Sequence, residues 1–187
     1  MQVGDYGLGF NSKTDEDQLA WSKLHPQHKF IRGNHDSKLA CQVFDSYLFD
    51  GGVDHQNKIM YIGGAWSIDY FLRREGRNYW ADEENSQDDF DRFEETYKAF
   101  PPRVMITHDA PHGVPEKLGL LNPDFSGSVT TRTGFRLARL FHIHKPELWV
   151  FGHWHKSADQ VIDGTRFVCL NICETRDLDL DTLELNS

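Results

Sequence analysis

Cysteine is scarce in this chain. Its 187 residues hold 3, Cys41, Cys169 and Cys173, and none of the spacings is CxxC or that of a zinc knuckle. A disulfide scaffold and a thiolate-held structural zinc are therefore not expected. Long apolar runs are missing too, so no segment reads as a membrane span. The opening stretch MQVGDYGLGF has neither the basic start nor the apolar stretch of a secretion signal. An odd number of thiols without such a signal gives the expectation of a reducing, cytoplasmic setting. Positive charge is also short. The net charge is −9, so a sequence-independent grip on long nucleic acid is not expected. No repeat and no low-complexity linker divides the chain, and residues 1–187 read as a single domain.

What is present is an ordinary globular composition, 39% hydrophobic and 26% charged, with an excess of histidine, 10 in all. Short strands alternate with helices. MQV reads as the tail of a strand, residues 15–24 as a short helix, and HKFIR as a strand. Residues 58–67 form an apolar strand that ends in a Gly-Gly loop. Residues 84–100 are the clearest helix: Ser86 with Asp89 makes a capping box, and Phe90, Phe93 and Tyr97 fall at helical spacing. Pro101 and Pro102 stop it. RVMIT (103–107) and ELWVF (147–151) read as strands on either side of a helix at 133–144. Residues 160–172 read as a hairpin turning at Asp163-Gly164. The tail at 174–186 alternates leucine with charge, as a last edge strand or a solvated tail would. The whole pattern is that of an α/β layered fold.

Four of these segments carry metal-ligand chemistry. VGD places Asp5 after a glycine. RGNHD places Asn34, His35 and Asp36 on one turn. ITHDAP places His108 at a strand end, and FGHWH places His153 and His155 just past Gly152. Ligands collect at the carboxyl ends of strands in α/β sheets. Asp5, Asn34, His108, His153 and His155 are thus expected to converge on one rim. Carboxylate, amide oxygen and imidazole together suit Mn²⁺, Fe or Zn²⁺. Gly4, Gly33 and Gly152 stand before the ligands, where a sharp turn into positive φ is the expected reason for glycine.

VGD, RGNHD, THDAP and FGHWH, in that order, resemble the second to fifth blocks of the calcineurin-like metallophosphoesterases. The segment YIGGAWSIDYFLRREGRNYWADEE resembles one found in small bacterial and phage members. The resemblance implies a two-sheet β-sandwich flanked by helices. It also implies two divalent transition metals at the sheet ends, with Mn favoured over Fe or Zn. Asp5 would bridge both metals, Asn34, His108 and His153 would complete one site, and His155 would serve the other. His35 would sit near the leaving group, with Asp36 orienting it. GDYGLGF lacks the Asp-Arg-Gly of the serine/threonine protein phosphatases, and GNHD replaces their GNHE; both point away from that branch. The family's opening Asp-x-His block has no counterpart here. The expectation is an N-terminally shortened member whose first strand is missing and which binds one metal ion well.

The activity so implied is hydrolysis of phosphomonoesters or phosphodiesters through a metal-activated hydroxide. Two metals ~3.5–4 Å apart hold the nucleophile and clamp the phosphoryl oxygens. His35 suits the leaving group by its titration range. The alternative is an inactive or partner-completed remnant that binds a single metal. Other residues have plainer readings. His142 and His144 close a helix, where cations suit the dipole. His112 reads equally as a loop or cleft residue. Arg73, Arg74 and Arg77 have the chemistry to reach a substrate phosphate, but are expected to pair with the acidic residues at 82–84. Trp66 and Asp69 follow the Gly-Gly loop and are candidates for shaping a pocket.

Overall fold

The runs IMYI, VMIT and LWVF are almost wholly apolar, as strands buried on both faces must be. A computed structural model describes residues 1–121 and 131–186. In chain order its elements are β1 (Gln2–Val3), α1 (Ser12–Leu24), β2 (Phe30–Ile31), α2 (Lys38–Cys41), β3 (Gly52–Asp54) and β4 (Ile59–Ile62). A 3₁₀ turn follows at Tyr70–Leu72, then α3 (Gln87–Ala99), β5 (Val104–Thr107), α4 (Val114–Lys117) and α5 (Arg132–Ile143). The rest is β6 (Leu148–Phe151), β7 (Ala158–Ile162), β8 (Thr165–Cys169), β9 (Asp177–Leu178) and β10 (Leu185–Asn186).

One mixed sheet runs in the order β3-β4-β5-β6-β8-β7, with β4, β5, β6 and β8 mutually parallel. Side chains alternate between its faces. Met60, Ile62, Met105, Trp149 and Phe151 pack on one side against Phe90, Phe93 and Tyr97 of α3 and Leu137 and Leu140 of α5. Ile59, Tyr61, Val104, Ile106, Leu148 and Val150 face the other side. There a thinner layer covers them, made of the parallel pair β1-β2 and the antiparallel pair β9-β10. Ile31 and Leu183 are buried in that second core, with Val3, Leu178 and Leu185 packed at its edge. The two sheets of the expected sandwich are therefore unequal, six strands against two short pairs. Leu178, Leu183 and Leu185 of the acidic tail belong to this layer, so the tail is neither a strand of the main sheet nor a solvated end.

Local chemistry explains the element ends. Ser86 Oγ accepts from the Asp89 amide at 3.0 Å, and the Asp89 carboxylate accepts from the Ser86 amide at 3.1 Å, which is the expected capping box. Helix α1 begins at Ser12, ahead of the expected start, because the Asn11 side chain caps the Lys13 amide at 3.0 Å. Asp163 and Gly164 both take positive φ, 50° and 91°, at the β7-β8 turn. Among the described residues no helix is long and apolar enough to cross a membrane.

Helices α3 and α5 are clasped by Glu94, which accepts from Lys98 at 2.6 Å and from Arg139 Nη2 at 2.9 Å. The Arg139 hydrogen bonds, then that of Lys98, pull the Glu94 carboxyl down to about 2 from its ordinary 4.5. A depressed carboxyl contributes its stability above the unfolded value and loses it as pH falls through the folded one. The clasp should therefore weaken as pH drops from 4.5 towards 2. Glu94→Gln should flatten that part of the stability-pH curve, measured by denaturant unfolding. An unchanged curve would show that the pair is not formed in solution.

Candidate metal centre

Four strand ends meet at one rim. β1 leads into Gly4-Asp5, β2 into Gly33-Asn34-His35, β5 into His108, and β6 into His153 and His155. The His108 ring joins the two layers, donating from Nδ1 to the carbonyl of Val3 at 2.7 Å. The segments at this rim approach so closely that side chains are excluded. A Cβ on Gly4 would lie 2.1 Å from His108 Nδ1, one on Gly33 2.0 Å from Asp5 Oδ1, and one on Gly152 3.1 Å from Val3 Cγ2. Of the three only Gly4 has positive φ, at 107°. Close approach, not a turn, therefore explains Gly33 and Gly152. The left-handed backbone falls instead on the ligand candidates Asp5, His153 and His155, at φ 55°, 67° and 52°. Such strain in non-glycine residues is characteristic of functional sites.

The gathering point is the amide oxygen of Asn34. His108 Nε2 lies 3.0 Å from it and His153 Nδ1 3.2 Å. Asp5 Oδ1 is 3.5 Å from His108 Nε2 and accepts from the His35 amide at 3.2 Å. Among the described residues no three His, Cys, Asp or Glu side chains alone form a metal-holding group. The cluster converges only through Asn34, and His155 is not part of it. His155 is exposed on the cleft wall, with no hydrogen bond to the other four among the described residues.

The donor set fits a cation. His108 spends its Nδ1 proton on Val3, which leaves the Nε2 lone pair facing the Asn34 oxygen. Asn34 cannot turn its amide to help, because its Nδ2 donates to Ser67 Oγ at 2.9 Å. Ser67 Oγ in turn donates to Glu83 Oε2 at 2.6 Å, and the Ser67 amide to Glu83 Oε1 at 2.8 Å. Two acceptors held face to face in a buried place are a ready site for a positive ion. The electrostatics agree. Burial alone would raise Asp5, but His108 and His35 hold its carboxyl below the ordinary value. Burial, with His108 beside it, pushes His153 down to about 3, so its ring is neutral and able to ligate.

Ser67 and Glu83 have no signature in the sequence; only the fold brings them to Asn34. Ser67→Ala frees the Asn34 amide to flip and should lower affinity for Mn²⁺ by about 10–100-fold. Isothermal titration checks this, and an affinity within error of the wild type would mean that Asn34 is oriented by something else.

Two expected roles change. Asp36 does not orient His35. It is fully buried, and its carboxylate accepts from the amides of Tyr6, Gly7, Leu8 and Gly33 at 3.0, 2.6, 3.1 and 2.7 Å. It is taken up in holding the loop after Asp5 against the turn before Asn34. The His35 ring is held instead by Arg73, whose Nη1 lies 2.7 Å from Nδ1. Arg73 pairs not with residues 82–84 but with Asp69, one helical turn away in sequence, at 2.7 Å. Burial lowers the His35 pKa; Arg73 lowers it further, while Asp5 opposes both. His144 is structural: its Nε2 sits 2.9 Å from the carbonyl of Pro102, at the far end of α5 from the rim.

The centre opens into a cleft of about 670 Å³. Trp66, Ile68, Leu120, Leu121 and Trp154 line its apolar walls, and His112 lies on its margin. Trp154 is fixed by a 3.0 Å hydrogen bond to Asp109 Oδ1.

A family model described as calcineurin-like phosphoesterase matches residues 2–157. Among solved structures, the crystal structure of TT1561 of Thermus thermophilus matches with a TM-score of 0.52 at 14% identity. The match covers 92% of this chain and 78% of that one, and at this identity it is a likeness of fold. No curated protein matches.

Proposed function

The chain belongs to the calcineurin-like phosphoesterases, and from that premise we propose that it hydrolyses phosphomonoesters or phosphodiesters in its cleft. The observation that carries the reading is the buried meeting of Asn34 Oδ1 with His108 Nε2 and His153 Nδ1, at 3.0 and 3.2 Å. Asp5, Asn34, His108 and His153 would hold a divalent transition metal, with Mn favoured, and His155 would serve a second. When bound, such ions activate water and clamp phosphoryl oxygens for in-line displacement. The chain's own residues do the rest. Ser67 and Glu83 keep the Asn34 oxygen turned inward. His35 stands on the cleft wall, where it can hydrogen-bond the leaving oxygen. Trp66, Trp154 and Leu120 receive the organic part of the ester and exclude water from it.

The test is hydrolysis of an aryl phosphate and a bis-aryl phosphodiester by the whole chain. Activity should vanish on chelation and return with Mn²⁺. No hydrolysis of either ester, with metal uptake confirmed by elemental analysis, would overturn the reading. The position of His155 favours a second reading, a chain that binds one metal ion without turnover. One tightly held metal per chain and no turnover would establish it.

A further inference from the structure

A guanidinium carries five N–H donors and no acceptor. In Arg73, Nε and Nη2 donate to the Asp69 carboxylate at 2.7 and 2.8 Å, a bidentate grip that fixes the plane of the group. Nη1 donates to the carbonyl of Asn78 at 3.2 Å and meets His35 Nδ1 at 2.7 Å. A neutral imidazole has one accepting nitrogen and one that carries the proton. Nδ1 faces a group that can only donate. The contacts at Nε2 are longer, 3.4 Å to Asn34 Nδ2 and 3.4 Å to Arg73 Nη2. The ring cannot accept at both nitrogens, and a 2.7 Å contact outranks one at 3.4 Å.

We infer that Arg73, held by Asp69, is a positioning residue that fixes His35 in the tautomer with its proton on Nε2. His35 thereby offers the cleft an N–H donor at Nε2. It stabilises charge on the substrate's leaving oxygen by a hydrogen bond. Asp36 cannot favour an imidazolium at this ring, because its carboxylate is committed to four backbone amides. The inference rests on the phosphoesterase reading only for what His35 faces; the tautomer follows from this chain's own contacts.

The experiment is nitrogen NMR of the histidine-labelled whole chain without metal, at a pH where the ring is uncharged. In the wild type, His35 is expected to carry its proton on Nε2, with the Nδ1 signal displaced by the hydrogen bond from Arg73. Arg73→Met should move Nδ1 to the position of a free acceptor. Arg73→Lys, which keeps a donor, should restore part of the displacement. With Mn²⁺ added, Arg73→Met should also slow esters with poor leaving groups by about ten- to a hundred-fold, and good leaving groups less. A proton on Nδ1 in the wild type would overturn the inference, as would an Nδ1 signal unmoved in Arg73→Met. The expected spectra without hydrolysis of any ester would support the tautomer and overturn the phosphoesterase reading alone.

Discussion

Replacing Asp36 with alanine is expected to remove at least about 4 kcal/mol of stability. The carboxylate accepts four backbone N–H groups, from Tyr6, Gly7, Leu8 and Gly33, in a place with no access to solvent. Alanine leaves those donors without partners, at about 1–3 kcal/mol for each. Total stability for a domain is roughly 5–15 kcal/mol, so the variant loses a large part of its margin. Asp36→Asn is the milder probe. It keeps one acceptor oxygen but turns N–H against N–H on the other side, and should fall between alanine and wild type. Asp89→Asn is the control, because Asp89 is a half-buried capping residue at the α3 N-terminus and should cost about 1 kcal/mol or less. Urea unfolding of the three variants measures the order. An Asp36→Ala protein within about 1 kcal/mol of wild type would show that the amides find other partners. The consequence reaches the site, because the loop tied down by Asp36 begins one residue after Asp5.

This role is hidden in the sequence, and the reason is physical. Gly-Asn-His-Asp shows which residues share a turn but not where each carboxylate finds its partners. Asp36 is adjacent to His35 in the chain, yet three of its four donors come from the distant segment Tyr6, Gly7 and Leu8. The ligand candidates are legible because strand ends mark themselves locally: an apolar run, a glycine, then a polar donor. Asn34, His108 and His153 meet where that pattern puts them, with Asp5 beside them. His155 carries the same mark and lies on the wall of the same cleft, exposed and outside that cluster. The glycines stand out in the sequence, but their reason does not. Nothing there separates a glycine needed for positive φ from one needed to let two segments touch. Arg73 is legible as a group that suits oxyanions, but its partner Asp69 and its target His35 come together only through the turn at Tyr70–Leu72. Of the fold, the three longer helices and the central strands are legible, but the short helices α2 and α4 are not. The uneven second layer is not, since β1, β2, β9 and β10 are each two residues long and leave almost no periodicity to read.

Arg32 gives the second large effect. It is fully buried, directly before Gly33, and its side chain reaches three residues in two other segments. Its Nε donates to Asp50 at 2.7 Å, Nη1 to the carbonyl of Glu83 at 2.9 Å, and Nη2 to Asn85 at 3.0 Å. Asp50 also accepts from the Gly63 amide at 2.7 Å, and a Cβ on Gly64 would come within 2.8 Å of Arg32 Nη2. Burial works against the charge, but Asp50 outweighs it and raises the guanidinium pKa above its ordinary value. Arg32→Met should cost about 3–5 kcal/mol, mostly because Asp50 is left buried and unpaired. Adding Asp50→Leu to Arg32→Met removes the stranded charge and should return part of that loss. The Gly63 amide stays orphaned, at about 1–3 kcal/mol, so recovery cannot be complete. A double variant less stable than Arg32→Met by the full cost of Asp50→Leu alone would mean that the two charges act independently. The expected result is the reverse, a double variant at least as stable as Arg32→Met. Arg32 also fixes the chain at Glu83, the residue that orients Ser67 and through it Asn34. Arg32→Met should therefore weaken Mn²⁺ binding even in the fraction that remains folded, and titration below the unfolding temperature separates that effect from the loss of stability.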